Sequence, residues 1–437
     1  MSMITRRHAL KLGLGAAAVA AAATPAQALV QITVTGGNFT PLPIAIPDFA
    51  SSDPTFGREV ADIVRANLRR SGLFAPLDPA SLPQRVGDVQ NQPDFAAWRG
   101  INVDALVMGQ VERGGQIQSA VRVWDTQQAA QVVGNSYGTD PSGWRRIAHI
   151  VSDAIYQSLA GETGYFDTRV VYVAESGPKA NRVKRLAIMD QDGANVQYLT
   201  NGRSLALTPR FSPAQQQLVT YMNFEEGNPR VYLLDLSTGQ QQRVGSFGQM
   251  TFSPRFSPDG RQIAFSVESQ GTTNIYSLPI GSSQPVQLTS GAAIDTSPSY
   301  SPDGGRIVFE SDRGGNPQLY VMGAGGGGAQ RISYGQGSYS TPVWSPKGDL
   351  IAYTRQSGGQ FQIGIMSPDG SNERVLVSTY HAEGPTWSPN GRVIMYFTDP
   401  GGDSGPSLMS VDIWGRNNQQ IPTETFASDP AWSPLRV

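Results

Sequence analysis

The sequence predicts a multi-domain protein: an N-terminal α/β domain followed by a six-bladed β-propeller with four-stranded blades. The ring is expected to close through a composite N-/C-terminal blade. Three observations carry this. The motif Pro-x-aromatic-Ser-Pro recurs six times, at Pro209, Pro254, Pro298, Pro342, Pro385 and Pro430, with starts 45, 44, 44, 43 and 45 residues apart. Strand-like segments follow five of the copies, about four per period, which is the signature of propeller blades. Helical periodicity is confined to the region before the repeats.

Composition agrees. The 437 residues include 49 Gly and 31 Pro, and only 16% are charged, a bias toward short strands and tight turns. Hydrophobic residues reach 39%, which excludes a disordered chain, and a net charge of −2 offers no basic field for nucleic acid. The absence of cysteine excludes disulfides, thiolate chemistry and an N-terminal lipid anchor on cysteine.

Residues 1–28 read as a cleaved signal peptide. Arg6-Arg7 precede a short apolar run, Leu12 to Ala23, in the manner of a twin-arginine leader, and Ala26-Gln27-Ala28 is a small-x-small cleavage site. Cleavage removes three cations and no acids, taking the net charge from −2 to −5. The mature chain is then exported, with no further segment able to span a membrane. Residues 29–42 form an N-terminal arm in which Val30, Ile32 and Val34 alternate like a strand before Gly36-Gly37.

Residues 43–166 make the α/β domain. Ile44-Ala45-Ile46 and Ala105 to Gly109 read as buried strands, and Ile117 to Trp124 with Gln131 to Ser136 as a hairpin. Phe56 to Leu73 and Trp144 to Leu159 carry apolar stripes at helical spacing. Residues 167–437 make the propeller. Turns such as Pro258-Asp259-Gly260 and Pro389-Asn390-Gly391 follow the motif, with Gly supplying positive φ and Asp or Asn bonding its own backbone. The last motif copy has no strands after it, and the strands between residues 170 and 200 have no motif before them. Together they complete one blade.

Several chemical motifs dissolve in this register. Gly134-Asn135-Ser136-Tyr137-Gly138 matches a nucleophile elbow, but a loop with Pro141 replaces the required helix and His149 follows only 13 residues on. Gly402-Asp403-Ser404-Gly405-Pro406 falls between two strands of a blade. Gly323 to Gly328 contains G-x-G-x-x-G but leads into strand, not helix. Asp190-Gln191-Asp192-Gly193 lacks the glutamate of a calcium loop. No catalytic set, metal or cofactor is expected.

The segments just before each motif copy differ while the strands repeat. They are expected to be loops gathered at one mouth of the central channel, a scaffold built to bind. Candidate residues there are Met250, Thr251, Ser253, Asp295, Thr296, Tyr339, Ser340, His381, Glu383 and Asp429.

The combination resembles the TolB family of the Tol-Pal cell-envelope system, almost end to end over the mature chain. The resemblance rests on Asp167-Thr168-Arg169-Val170 at the domain junction, the run Ile294 to Gly304, Phe309-Glu310-Ser311-Asp312-Arg313-Gly314-Gly315, and Glu383 to Arg392. It implies a periplasmic, non-enzymatic interaction protein serving envelope integrity and outer-membrane constriction at cell division. The propeller mouth would bind the lipoprotein Pal through the residues just named. The arm, with Leu29, Val30, Ile32, Val34, Gly36 and Gly37, would bind TolA, and other envelope proteins are conceivable partners. Here Gly37 to Thr40 lacks the acidic residues that the arm often carries. The alternatives are a periplasmic propeller hydrolase, which two mature histidines and no supported nucleophile do not equip, and a passive envelope scaffold.

Overall fold

The computed structural model describes residues 39–225, 227–245 and 247–436. The leader, the cleavage positions Ala26 and Ala28, and the arm residues Leu29 to Gly37 lie outside the described residues.

The N-terminal domain is a five-stranded mixed sheet. Strand β1 (Leu42–Ala45) runs parallel to both β2 (Phe74–Pro76) and β3 (Ala105–Arg113). Antiparallel β4 (Ile117–Asp125) and β5 (Ala130–Thr139) extend it. Helix α1 (Pro54–Arg70) begins where the Asp53 carboxylate accepts the Thr55 and Phe56 N–H groups, with Pro54 in the first turn. Its apolar stripe, Phe56, Val60, Ile63, Val64 and Leu68, is buried with that of α3 (Trp144–Ala160), which ends at left-handed Gly161. Between them the chain forms a short helix, α2 (Phe95–Arg99), which the sequence reading missed. Its Trp98 packs with Leu106 and Met108 on the other face of the sheet. Gly57 is required by close approach: a Cβ there would sit 2.1 Å from the Phe49 carbonyl oxygen.

Six four-stranded antiparallel sheets follow. Their inner strands are Ala206–Phe211, Thr251–Phe256, Asp295–Tyr300, Ser338–Trp344, Ala382–Trp387 and Phe426–Trp432. The sixth blade is composite: Phe426–Trp432 pairs with Arg169–Ser176, and Val183–Asp190 and Gln197–Tyr198 complete it. The repeated serine explains itself locally. The Ser257 hydroxyl reaches Asp259 Oδ1 at 2.5 Å and accepts the Gln262 N–H at 3.0 Å, locking the turn between first and second strands. Ser388 does the same with Asn390 and Val393. Hydrogen bonds also join the inner strands of neighbouring blades, as from Trp344 N to Ser299 Oγ and from Trp432 N to Thr386 Oγ1.

The two domains share a polar and aromatic junction. The Asp153 carboxylate accepts the Phe166 and Asp167 N–H groups at 2.7 and 2.9 Å. Arg392 pairs with Glu162, and the Asn390 amide donates to Thr163 O. Phe39 lies edge-on to Trp414 at 5.6 Å, with the Arg416 guanidinium 4.3 Å from its ring centre.

Candidate functional site

Each inner strand starts at one end of the channel, here called the mouth, and finishes at the Ser-Pro turn on the opposite face. Just before the first motif proline every inner strand carries a register shift. The residue there is left-handed in all six blades: Thr208, Ser253, Ser297, Thr341 and Asp429 with φ of 47–53°, and Gly384 with φ 66°. These are β-bulges, four of them at Thr or Ser, which rarely accept positive φ, at a position where a following proline disfavours helical backbone.

The bulges correct one expectation. The segments before the motif are not loops: Thr251, Asp295, Thr296, Tyr339, Ser340, Glu383 and Asp429 lie within the inner strands. The bulge breaks the two-residue alternation, and proline lacks a ladder donor, so the segment reads as loop although it is paired strand. Three of the expected residues are packed inside the blades. Thr251 Oγ1 accepts the Val231 N–H, Asp295 takes two hydrogen bonds from Arg313 at 2.9 and 3.0 Å, and the Tyr339 hydroxyl donates to Glu373. Met250, Ser253, Thr296, Ser340, His381, Glu383 and Asp429 keep partial exposure.

The structure adds residues that the motif hid. Four positions before the motif proline, at the mouth, Leu205, Ile294, Ser338 and Phe426 stand beside the expected Met250 and His381. Leu205, Ile294 and Phe426 are exposed, and Tyr334 and Tyr380 in the adjoining segments are 72% and 70% exposed. Counting back from each proline would have found this set, apolar in four of the six blades.

Inside the mouth, carboxyl groups converge. Burial pushes the Glu310 carboxyl up to about 7, against hydrogen bonds from the Thr341 N–H and the Thr296 hydroxyl that favour its charged form. Burial also raises Glu383, opposed by His381 and reinforced by Asp429. Asp429 is raised by burial, opposed by Arg210 and by the Thr208 N–H, which it accepts at 3.2 Å. His381 Nε2 stands 3.5 Å from Glu383 Oε1, its ring wedged between Phe361 and Phe397.

The elbow-like motif at Gly134 to Gly138 does not form the strand-to-helix turn that an elbow needs. Ser136 lies within β5, and His149 is buried at the domain junction. His149, Asp190 and Asp192 bring three potential cation ligands together among the described residues. Arg70 donates to Asn67 Oδ1, so the Asn67 amide nitrogen faces His149 Nδ1 at 2.9 Å. Nδ1 therefore accepts, and the hydrogen of the neutral ring sits on Nε2, the atom facing the carboxylates. Arg145 already holds Asp192 at 2.6 Å. The cluster works as a polar clamp between domains, and its donor pattern does not suit a metal.

Comparison with known proteins agrees with this architecture. Residues 156–436 match the family profile described as TolB beta propeller domain, and residues 30–132 match TolB amino-terminal domain. The crystal structure of TolB from Acinetobacter baumannii is similar over 93% of this chain and 100% of its own, at 29% identity and a TM-score of 0.81. A chain of a nidogen/laminin complex, 10% identical with a TM-score of 0.50 over 62% of this chain and 100% of its own, shares the fold alone. With a propeller match over more than half its length and the matching domain in front, this chain belongs to the TolB family.

Proposed function

We propose that this chain is a non-enzymatic periplasmic hub of the Tol-Pal system, binding Pal at the propeller mouth and TolA through the arm at residues 29–42. The observation that carries the reading is the set of exposed apolar side chains around the mouth, Leu205, Ile294, Tyr334, Tyr380 and Phe426, set over partly buried carboxyls. Contiguous apolar patches with a polar surround mark protein interfaces, and aromatic anchors such as Tyr334 and Tyr380 dominate their energetics. Among the described residues no helix is long and apolar enough to cross a membrane. The alternating arm suits addition to a partner's sheet edge. Within the arm, Phe39 is seated on the outer-strand turn that holds Trp414 and Arg416, on the propeller face away from the mouth. Two partners engaged at opposite ends can act together, and any coupling between them is reciprocal.

The test uses purified chain and soluble Pal in titration calorimetry. Replacing Tyr380 and His381 together by Ala is expected to weaken Pal about 10- to 100-fold, the cost of losing one or two anchors. Unchanged affinity moves the Pal site off the mouth. A chain beginning at residue 41 should lose TolA binding, and undiminished binding overturns the arm assignment.

A further inference from the structure

We propose that the channel end opposite the mouth is a separate small-ligand site, which takes a flat, apolar-faced ring bearing a carboxylate. The six motif copies converge there on a cavity of about 430 Å3 that opens between the prolines after each motif serine. That volume falls in the range of single small-molecule sites, ~300–1,000 Å3. Its lining includes the motif aromatic of every blade, Phe211, Phe256, Tyr300, Trp344, Trp387 and Trp432, all but Tyr300 largely buried in the blade cores so that only an edge reaches the cavity. The indole N–H groups are already spent, on Gly348 O, Val343 O and Thr168 Oγ1. What these residues show to the cavity is therefore apolar carbon, not donors.

The polarity of the cavity comes from the residue between proline and aromatic. Four blades place Ser299, Val343, Thr386 and Ala431 there, uncharged residues of which the Ser299 and Thr386 hydroxyl oxygens accept backbone N–H groups of the next blade. Blades 1 and 2, side by side, place Arg210 and Arg255. Four blades close the ring without arginine, so the fold does not demand it. Arg210 donates Nη1 to Pro209 O, while its Nε is buried without a partner. Asp429 supplies the opposing field at Arg210, but no carboxylate among the described residues forms an ion pair with either guanidinium.

A guanidinium buried with its Nε unpartnered, offset only by the field of Asp429, is unfavourable unless a further anion joins it, and Arg255 of the next blade lines the same cavity. The planar fork of arginine matches a carboxylate, and aromatic walls favour a ring behind it. The chemistry is shared by acidic sugars and aryl carboxylates.

The experiment titrates the purified chain with glucuronate and N-acetylmuramic acid in one arm and indole-3-acetate in the other. Glucose, N-acetylglucosamine and indole are the neutral counterparts, and inorganic phosphate is the ringless anion. The expected result is a dissociation constant below about 1 mM for an acid of one arm, with its neutral counterpart at least about tenfold weaker. The arm that binds identifies the source. Arg255→Ala, folded by circular dichroism, should weaken the acid about tenfold and leave neutral compounds unaffected. No acid binding at about 10 mM, equal binding of neutral compounds or phosphate, or an unaffected R255A overturns the proposal. Should R255A fail to fold, the acid-to-neutral ratio of the unaltered chain decides alone. Pal affinity measured on the same preparation keeps the two readings apart, because retained Pal binding without acid binding sinks only this one.

Discussion

Truncating the chain after Thr425, which removes residues 426–437, should abolish cooperative folding of the propeller, far beyond what twelve surface residues would do. The lost strand, Phe426–Trp432, supplies the inner edge of the composite blade and pairs with Arg169–Ser176. Trp432 is 7% exposed, and truncating such a buried ring costs ~3–5 kcal/mol. Its indole N–H to Thr168 Oγ1 and its backbone N–H to Thr386 Oγ1 contribute ~1 kcal/mol each. Ala427 and Ala431, both buried, contribute roughly 1 kcal/mol apiece through their methyl groups. The sum, roughly 7–9 kcal/mol, is comparable to the whole stability of a typical domain, ~5–15 kcal/mol. Urea denaturation followed by far-ultraviolet circular dichroism reads the outcome. Trp432→Ala alone should lower the midpoint and keep a single transition; the truncation should leave no propeller transition. A truncated chain with the midpoint and slope of the intact one would refute the latch argument.

Other outcomes follow from the mouth. Glu310 has a folded pKa of about 7, above its ordinary 4.5. The folded state therefore binds the extra proton between those values, and stability falls as pH rises through that window. The whole effect is ~3 kcal/mol, so Glu310→Gln should gain about that much relative to the unaltered chain between pH 4.5 and pH 8, read by paired urea melts. A parallel pH dependence for both proteins would contradict the burial argument. Thr208 combines a left-handed backbone with a buried hydroxyl that has no partner. Thr208→Gly should raise stability by ~1 kcal/mol, the relief of strain outweighing the greater freedom of glycine in the unfolded chain. At the equivalent position Gly384→Thr should lose stability, since a Cβ there lies 3.3 Å from the Phe397 ring at φ 66°. Matching signs for the two substitutions would show that the bulges are not strained.

The propeller was legible because its signal is repeated. The spacing of Pro209 to Pro430 sets the blade count, and the unmatched strands near residues 170 and 200 disclose the composite blade. Helices α1 and α3 were legible from their apolar stripes. Helix α2, five residues long, has too few turns to show a period. The mouth was half legible. Sequence variation before the motif pointed to the right end of the channel, but it could not distinguish Tyr339, which turns into the blade, from Tyr380, which turns out. Both are tyrosines within five residues of a motif proline, and only the bulge register separates them. Glu310 was invisible as a site residue because it sits on a second strand, brought to the channel by the folding of blade 3.

The bulges also explain why the two ends of the channel differ in kind. Below the bulge, the serine is held by turn hydrogen bonds as at Ser257 and Ser388, and an aromatic ring stands in every blade, so that end keeps its shape while the residue between proline and aromatic changes in charge and polarity. Above it, the register shift releases each strand from that pattern and directs the residue four before the proline outward. A left-handed threonine or serine costs ~1–3 kcal/mol, and five non-glycine residues bear that cost at one level of the ring. Strain repeated at one level of a closed ring is not needed for closure, since Gly384 meets the same geometry without it. The side chains retained there are therefore better explained by what they face: Asp429 bonds the next blade's bulge at Thr208, and Thr341 donates its N–H to Glu310. The strained level is thus a polar collar that couples adjacent blades directly beneath the apolar rim. A partner seated on the rim would press on that collar before reaching anything else in the protein.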